Sequence, residues 1–340
     1  MCVHWKCFWR YVLTYSVLKD PDFYTLTDYH PEDFQSETTS ITSSIARGRL
    51  ENGRRYQAMK DDYWGPSDEQ QFEAFEIGHM LFLILDHNEP NPLFRAPIGE
   101  QPKQILDIGT GKGSWAVDVA DLYPNATVRG VDIFPPPVSW VPPNCVFEVD
   151  DVLREWTWRE PFDFIHLRLM YGAFTSEEWD QVYKRAYDAL QPGGWIEQME
   201  LDVRVFSDDG TLTTDKALHG WGDMFIDCSE RAGRSLRTQE TMRSTLEKAG
   251  FVDAQEKLYK IPPRPLGKGQ AVERSRTTPE YPLEHGLGGE EVQVYLAKVR
   301  KELQDPLLHG YELARRVWAR KPTLGERKAD KTPSEVKPPS

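Results

Sequence analysis

The spacing of hydrophobic and polar positions changes character at Pro102. Over residues 68–87, Phe72, Phe75 and Leu83 recur at turn-like spacing among Gln70, Gln71, Glu73 and Glu76 before a fully apolar end, which predicts a helix that docks onto another layer. After Pro102, short β-rich runs alternate with helical ones. Strands are predicted over 104–108, 127–132, 145–149, 162–167 and 194–201, and helices over 114–122 and 176–190. The second helix opens with a capping-box pair, Thr175 and Glu178, and carries one apolar stripe of Trp179, Val182, Tyr183, Ala186 and Leu190. Such alternation builds parallel βαβ units with right-handed crossovers. The fold class is therefore α/β, an open doubly wound sheet with its ligand site at the carboxyl ends of the strands.

Beyond this block, helices are expected over 213–232 and 235–249, with Gly250 ending the second, and a strand over 252–261. Residues 262–289 read as irregular, because Pro262, Pro263, Pro265, Pro279 and Pro282 stand there among several glycines. A helix over 290–303 and a last strand over 311–319 follow. Residues 36–45 hold seven Ser or Thr in ten, a composition that cannot build a packed core. The expected division is a flexible segment 1–47, one domain 48–320 with 202–250 as a helical insertion over the site, and a charged, proline-bearing disordered tail 321–340. No internal repeat is present.

The motif that carries chemistry is ILDIGTGKGSWA, residues 105–116, in which a strand runs into three glycines spaced by two and then a helix. Such a loop brings backbone amides and a helix N-terminus close to a ligand. A nucleoside triphosphate loop needs four residues between its glycines and then Gly-Lys-Ser/Thr, whereas Lys112 here precedes Gly113. A dinucleotide loop has its third glycine one place later. Asp107 decides further, because a carboxylate two positions before the first glycine repels a pyrophosphate and suits an ammonium group. S-adenosylmethionine supplies an ammonium and a sulfonium and no phosphate. Asp132 closes the second strand 19 residues past Gly113, where it can accept from both ribose hydroxyls. Asp150 and Asp151 end the third strand, placed to accept from an adenine amino group, with Val152 packing on the ring.

Composition narrows the partners. The formal net charge is −13 and the pI about 5.2, so the surface repels nucleic acid and anionic lipid. Four cysteines, Cys2, Cys7, Cys145 and Cys228, are too few and too scattered for a disulfide framework or a metal site, and no metal is expected. Lys6 and Arg10 interrupt the apolar start, no small-residue cleavage site follows before Pro21, and the longest apolar run elsewhere, 80–85, is far short of the ~20 residues of a bilayer span. These features read as a soluble, cytoplasmic protein.

The run of motifs resembles the class I S-adenosylmethionine-dependent methyltransferases and, more narrowly, the fungal LaeA-like methyltransferase family. The likeness rests on ENGRRYQA (51–58), the glycine loop, VSWVPPNCVFEVDD, FDFIHLRL, YDALQPGGWIEQMELDV, SDDGTL and EKAGFVDAQEKLYKIP. It implies a Rossmann-like, mostly parallel sheet of seven strands with the last antiparallel; with the helix read over 68–87, residues 48–100 are expected to form an N-terminal helical cap. It also implies a cofactor site in which Asp107, Gly109, Gly111 and Gly113 hold the methionine part, Asp132 the ribose, and Asp150 with Asp151 the adenine, while Tyr56 closes the pocket from the N-terminal side. Two departures stand out: the stretch 262–289 is shortened and rewritten where the family has helix, and the first 35 residues match nothing in it.

Methyl transfer is an in-line displacement, and a general base is required only for an acceptor protonated at neutral pH. His166, at the end of the fourth strand, is either that base or a satisfied core histidine. Arg168 either clamps an acidic substrate or forms a structural ion pair. Tyr171 either donates to substrate or packs. Glu197 and Glu200 flank the fifth strand's end, facing the pocket or solvent; Trp221, Met224 and Phe225 either fill core or touch substrate. The function expected is methylation of a small organic acceptor, at oxygen or a carboxyl group, in fungal secondary metabolism. The alternatives are a nuclear regulator acting through protein partners, and a cofactor binder without turnover.

Overall fold

The computed structural model describes residues 47–51, 53–60, 62–262 and 289–329. The flexible segment expected over 1–47 and the irregular stretch over 262–289 lie outside the described residues except at their edges. Strands β1 (Arg49–Glu51) and β2 (Arg54–Tyr56) pair as an antiparallel hairpin and lead into α1 (Glu69–Leu85). The N-terminal cap is thus a hairpin plus one helix, not helical throughout. Asp68 caps α1 by accepting from the Gln71 amide, and its carboxylate takes a bidentate pair from Arg54 of β2 at 2.5 and 2.8 Å. One side chain therefore starts the helix and ties it to the hairpin.

The core alternates as expected: β3 (Gln104–Ile108), α2 (Ser114–Leu122), β4 (Thr127–Asp132), β5 (Cys145–Val149), β6 (Phe162–Arg168), α3 (Ser176–Ala189) and β7 (Leu190–Phe206). Helices α4 (Trp221–Arg231) and α5 (Thr238–Lys248), strand β8 (Val252–Ile261), helix α6 (Gly289–Leu303), strand β9 (Tyr311–Arg320) and helix α7 (Leu324–Ala329) complete it. The seven-stranded sheet runs β5-β4-β3-β6-β7-β9-β8, with β9 antiparallel to both neighbours and the pairs from β5 through to β7 parallel. From β3 the chain steps to β4 and β5 on one side, then returns to β6 and β7 on the other. The β3–β6 junction is the switch point, where a crevice opens beyond the strand ends.

Period-two alternation assigns each strand residue to a layer. Ile105 and Phe164 pack with Trp115, Ala116 and Val119 of α2, while Leu106, Ile165 and Ile196 pack with Val182 and Ala186 of α3 and Met242 and Leu246 of α5. All of these are buried, and each Val, Leu, Ile, Phe or Met among them contributes about 1.5–3 kcal/mol. The capping box of Thr175 and Glu178 is present at α3.

Three further expectations differ from the structure. The fifth strand is longer than 194–201, because β7 extends to Phe206 by pairing Val205 and Phe206 with Glu312 and Tyr311 of β9 past an irregular register. The insertion expected to be helical from 202 therefore begins its first helix only at Trp221, and α5 is a layer helix against the sheet, not a cover over the site. The tail expected to be disordered from 321 holds α7, pinned by Glu326, which takes two hydrogen bonds from Arg320.

Candidate active site

A cavity opens at the switch point, above the carboxyl ends of β3, β4 and β6 and the residues after β5. Its floor is the glycine loop, and the loop's amides are already committed. Gly109 and Thr110 donate to the Val131 carbonyl at 2.8 and 3.1 Å, Gly111 to Asp132 Oδ2 at 2.8 Å and Gly113 to the Thr110 carbonyl at 2.9 Å. These four donors face the protein's own acceptors, so the loop is no phosphate cradle. Gly109 has φ of 70°, and a Cβ there would collide with Met170 Sδ. Gly113, with φ of 88°, serves packing, since a Cβ would come within 2.6 Å of the Phe147 ring; it is not part of the cavity wall.

Asp107 and His166 are register partners on β3 and β6, so their side chains share a face. His166 Nδ1 lies 2.7 Å from Asp107 Oδ1, and Thr110 Oγ1 donates to Asp107 Oδ2 at 2.7 Å. The imidazole stacks on Trp115 with centroids 3.7 Å apart and planes 6° apart. Both alternatives read for His166 thus meet in one residue, a buried histidine with a satisfied nitrogen that also lines the cavity. Burial pushes its pKa down against the pull of Asp107, which favours the neutral ring. Proton on Nδ1 leaves Nε2 with the free lone pair.

Asp132 lies under the opposite end of the cavity. Its carboxylate accepts from Gly111 and from the Phe134 amide at 3.2 Å, and burial, with the Asp107 charge nearby, raises it to about 6. Asp150 and Asp151 line the same end with Val152. Each of the two carboxylates has one oxygen on a backbone amide, Asp151 N at 2.8 Å and Leu153 N at 3.0 Å. None of these three acids forms an ion pair among the described residues. This set of acceptors suits hydroxyl and amino groups and repels a diphosphate, so the residues fit S-adenosylmethionine.

Asp107, Gly109, Gly111, Asp132, Asp150, Asp151, Val152, His166 and Arg168 thus come together, whereas Tyr56, Gly113 and Tyr171 do not. Tyr56 is buried in β2, and the N-terminal wall is made instead by Lys60, Tyr63, Pro66 and Ser67. Tyr171 is fully buried in the core beside Leu201 and Val203, and burial raises its pKa. Arg168 forms no ion pair among the described residues; its Nη2 donates to His79 Nδ1 at 3.1 Å. Glu197 and Glu200 face neither pocket nor solvent. Glu197 accepts from the Arg95 and Ala96 amides, and Glu200 from the Met170 and Tyr171 amides. Trp221 and Phe225 belong to the core under α4, and Met224 packs against it. Sequence reasoning missed His79, whose spacing from Phe72 and Phe75 marked it as facing inward, and Trp115, which directly follows the glycine loop.

Fold and cavity together define a methyltransferase of the α/β type. Residues 86–256 match the methyltransferase domain family, and the chain belongs to the LaeA-like S-adenosylmethionine-dependent methyltransferases. It is 36% identical over 236 residues to the methyltransferase pytC of Aspergillus terreus, covering 68% of this chain and 70% of that one. It is 32% identical over 295 residues to the secondary metabolism regulator LAE1 of Cochliobolus heterostrophus, covering 80% and 94%. Among solved structures, human N-acetylserotonin methyltransferase in complex with SAM aligns with a TM-score of 0.40 and 16% identity, over 75% of this chain; the chain spans 55% of that protein. No described helix is long and apolar enough to cross a membrane, and no group of His, Cys, Asp or Glu among the described residues is arranged to hold a metal.

Proposed function

We propose that the protein methylates a small organic acceptor, at a hydroxyl or carboxyl oxygen, as a tailoring step in fungal secondary metabolism. The observation that carries this reading is the wall itself: acids from three successive strands and a neutral histidine line one cavity over a glycine loop whose amides are internally satisfied. When bound, the cofactor supplies a methyl group on a cationic sulfur. Asp132 accepts from the ribose hydroxyls, Asp150 and Asp151 from the adenine amino group, and Val152 packs on the ring. The buried charge of Asp107 favours the cofactor's ammonium end, although its two oxygens also hold His166 and Thr110. Gly109 and Gly111 keep the floor low at the reacting end. His166 takes the proton of a hydroxyl acceptor at Nε2, oriented by Asp107 and by the Trp115 stack; a carboxylate acceptor needs no base.

Incubation with methyl-labelled S-adenosylmethionine and an extract of the producing cells tests this. Label in a small molecule is expected; label on protein alone rejects it. The LaeA and LAE1 relatives are named secondary metabolism regulators, which favours a regulator as the second reading; its testable form is a nuclear protein acting through protein partners. A tagged copy in the cytoplasm, with transcripts unchanged on deletion, supports the enzyme; nuclear accumulation with altered transcripts supports the regulator.

A further inference from the structure

One cation in the cavity has no ion-pair partner among the described residues. The Arg168 guanidinium lines the wall at the end of β6, and among the described residues it forms no ion pair and one hydrogen bond, to His79 Nδ1. Its flat side lies 5.2 Å from the Phe82 ring centroid. The acids whose fields reach it are all engaged elsewhere: Asp107 with His166 and Thr110, Asp118 with His79, and Glu76 with Ser114 and Lys112. Burial draws its pKa down to about 10. A desolvated guanidinium without a carboxylate is costly, and its fork geometry matches one.

The cavity is polarised. Asp132 ends β4, and Asp150 and Asp151 follow β5, whereas Arg168 ends β6, three strands from β5 in the order β5-β4-β3-β6. At about 4.8 Å per strand the two ends stand roughly 14 Å apart. A ligand with a nucleoside at the acidic end and a carboxylate at the far end matches this layout, and Arg168 lies beside the β3 strand that feeds the glycine loop.

We infer that Arg168 binds the α-carboxylate at the amino-acid end of the cofactor, and that His79 of α1 is the positioning residue that turns the guanidinium toward it. This assignment rests on the methyltransferase reading. His79 accepts from Arg168 at Nδ1 and lies 2.8 Å from Asp118 Oδ2 at Nε2, so a neutral ring protonated on Nε2 satisfies both contacts. Asp118 sits on α2, which makes the chain Asp118–His79–Arg168 a brace from the helix after the glycine loop, through α1, to the cavity wall.

Calorimetric titration with S-adenosylhomocysteine and with 5′-methylthioadenosine tests the inference, because the second keeps the nucleoside and thioether and lacks the amino-acid end. Arg168→Met is expected to weaken the first by about ten- to a hundredfold and to leave the second within about twofold. Arg168→Lys retains part of the difference. His79→Leu erodes the same discrimination, and His79→Gln, which keeps an acceptor and a donor, restores it. Equal loss for both ligands in Arg168→Met, or an unchanged affinity for S-adenosylhomocysteine, overturns the assignment while leaving the methyltransferase reading intact. Failure of the wild-type protein to bind either ligand removes that reading and the inference with it.

Discussion

Replacing Arg316 by Met tests how the cap is fastened to the sheet. The guanidinium is 2% exposed and sits between two carboxylates that are fully buried, 3.1 Å from Asp86 and 2.9 Å from Glu197. Asp86 is the C-terminal cap of α1 and retains Lys257 and the Tyr259 hydroxyl; among the described residues Glu197 retains the Arg95 and Ala96 amides alone. Removing the cation leaves buried charge uncompensated, which costs about 3–5 kcal/mol. Urea unfolding followed by tryptophan fluorescence reads this directly. Adding Asp86→Asn to the Met variant takes away one of the stranded charges, so the double variant is expected to recover part of the loss. A loss under about 1 kcal/mol for Arg316→Met, or strictly additive losses in the double variant, refutes the argument that charge compensation holds this junction together.

Three further outcomes follow from the same reasoning. Burial raises the Glu200 carboxyl from 4.5 to about 7, so its folded-state stabilisation is complete below pH 4.5 and lost as pH rises through about 7. Glu200→Gln is therefore expected to gain stability relative to wild type across that window, and a pH-independent difference in unfolding free energy contradicts it. Asp132→Asn should weaken S-adenosylhomocysteine and 5′-methylthioadenosine alike, by roughly tenfold, since both carry the ribose. Wild-type affinity should also fall as pH drops through about 6, a step absent from the variant. Gly109→Ala places a Cβ at φ of 70° against Met170 and is expected to cost about 1–3 kcal/mol. An unchanged melting temperature counts against the packing described for the loop.

The parallel half of the sheet was legible because its signals are local. The bounds of strands β3, β4 and β5 and helix α2 follow from the sequence to the residue, since each run stops at glycine, aspartate or the residue before a proline. The reading failed where distant partners decide. β7 runs past Leu201 only because β9 pairs with it, from more than a hundred residues away. The hairpin β1–β2 is held to α1 by Arg54 and Asp68, a contact across 14 residues that periodicity does not record. The acids beside the glycine loop could be proposed from strand ends alone, but Tyr171 and Glu200 could not be placed. The turn after β6, with Leu169 at φ of 56°, carries Tyr171 into the core and sets its amide on Glu200. His79 was invisible as a site residue for a related reason: its partners come from α2 and β6.

The anchoring of α1 at both ends limits how this protein exchanges its ligand. Asp68 locks the helix start to the hairpin, and Asp86 locks its finish into a buried cluster with Arg316 and Tyr259. A helix welded at two points, with Phe72 and Phe75 in the cavity wall, is a fixed beam, not a door. Swinging it outward would break an ion pair at each weld, so ligand exchange is expected to proceed without movement of α1 as a whole.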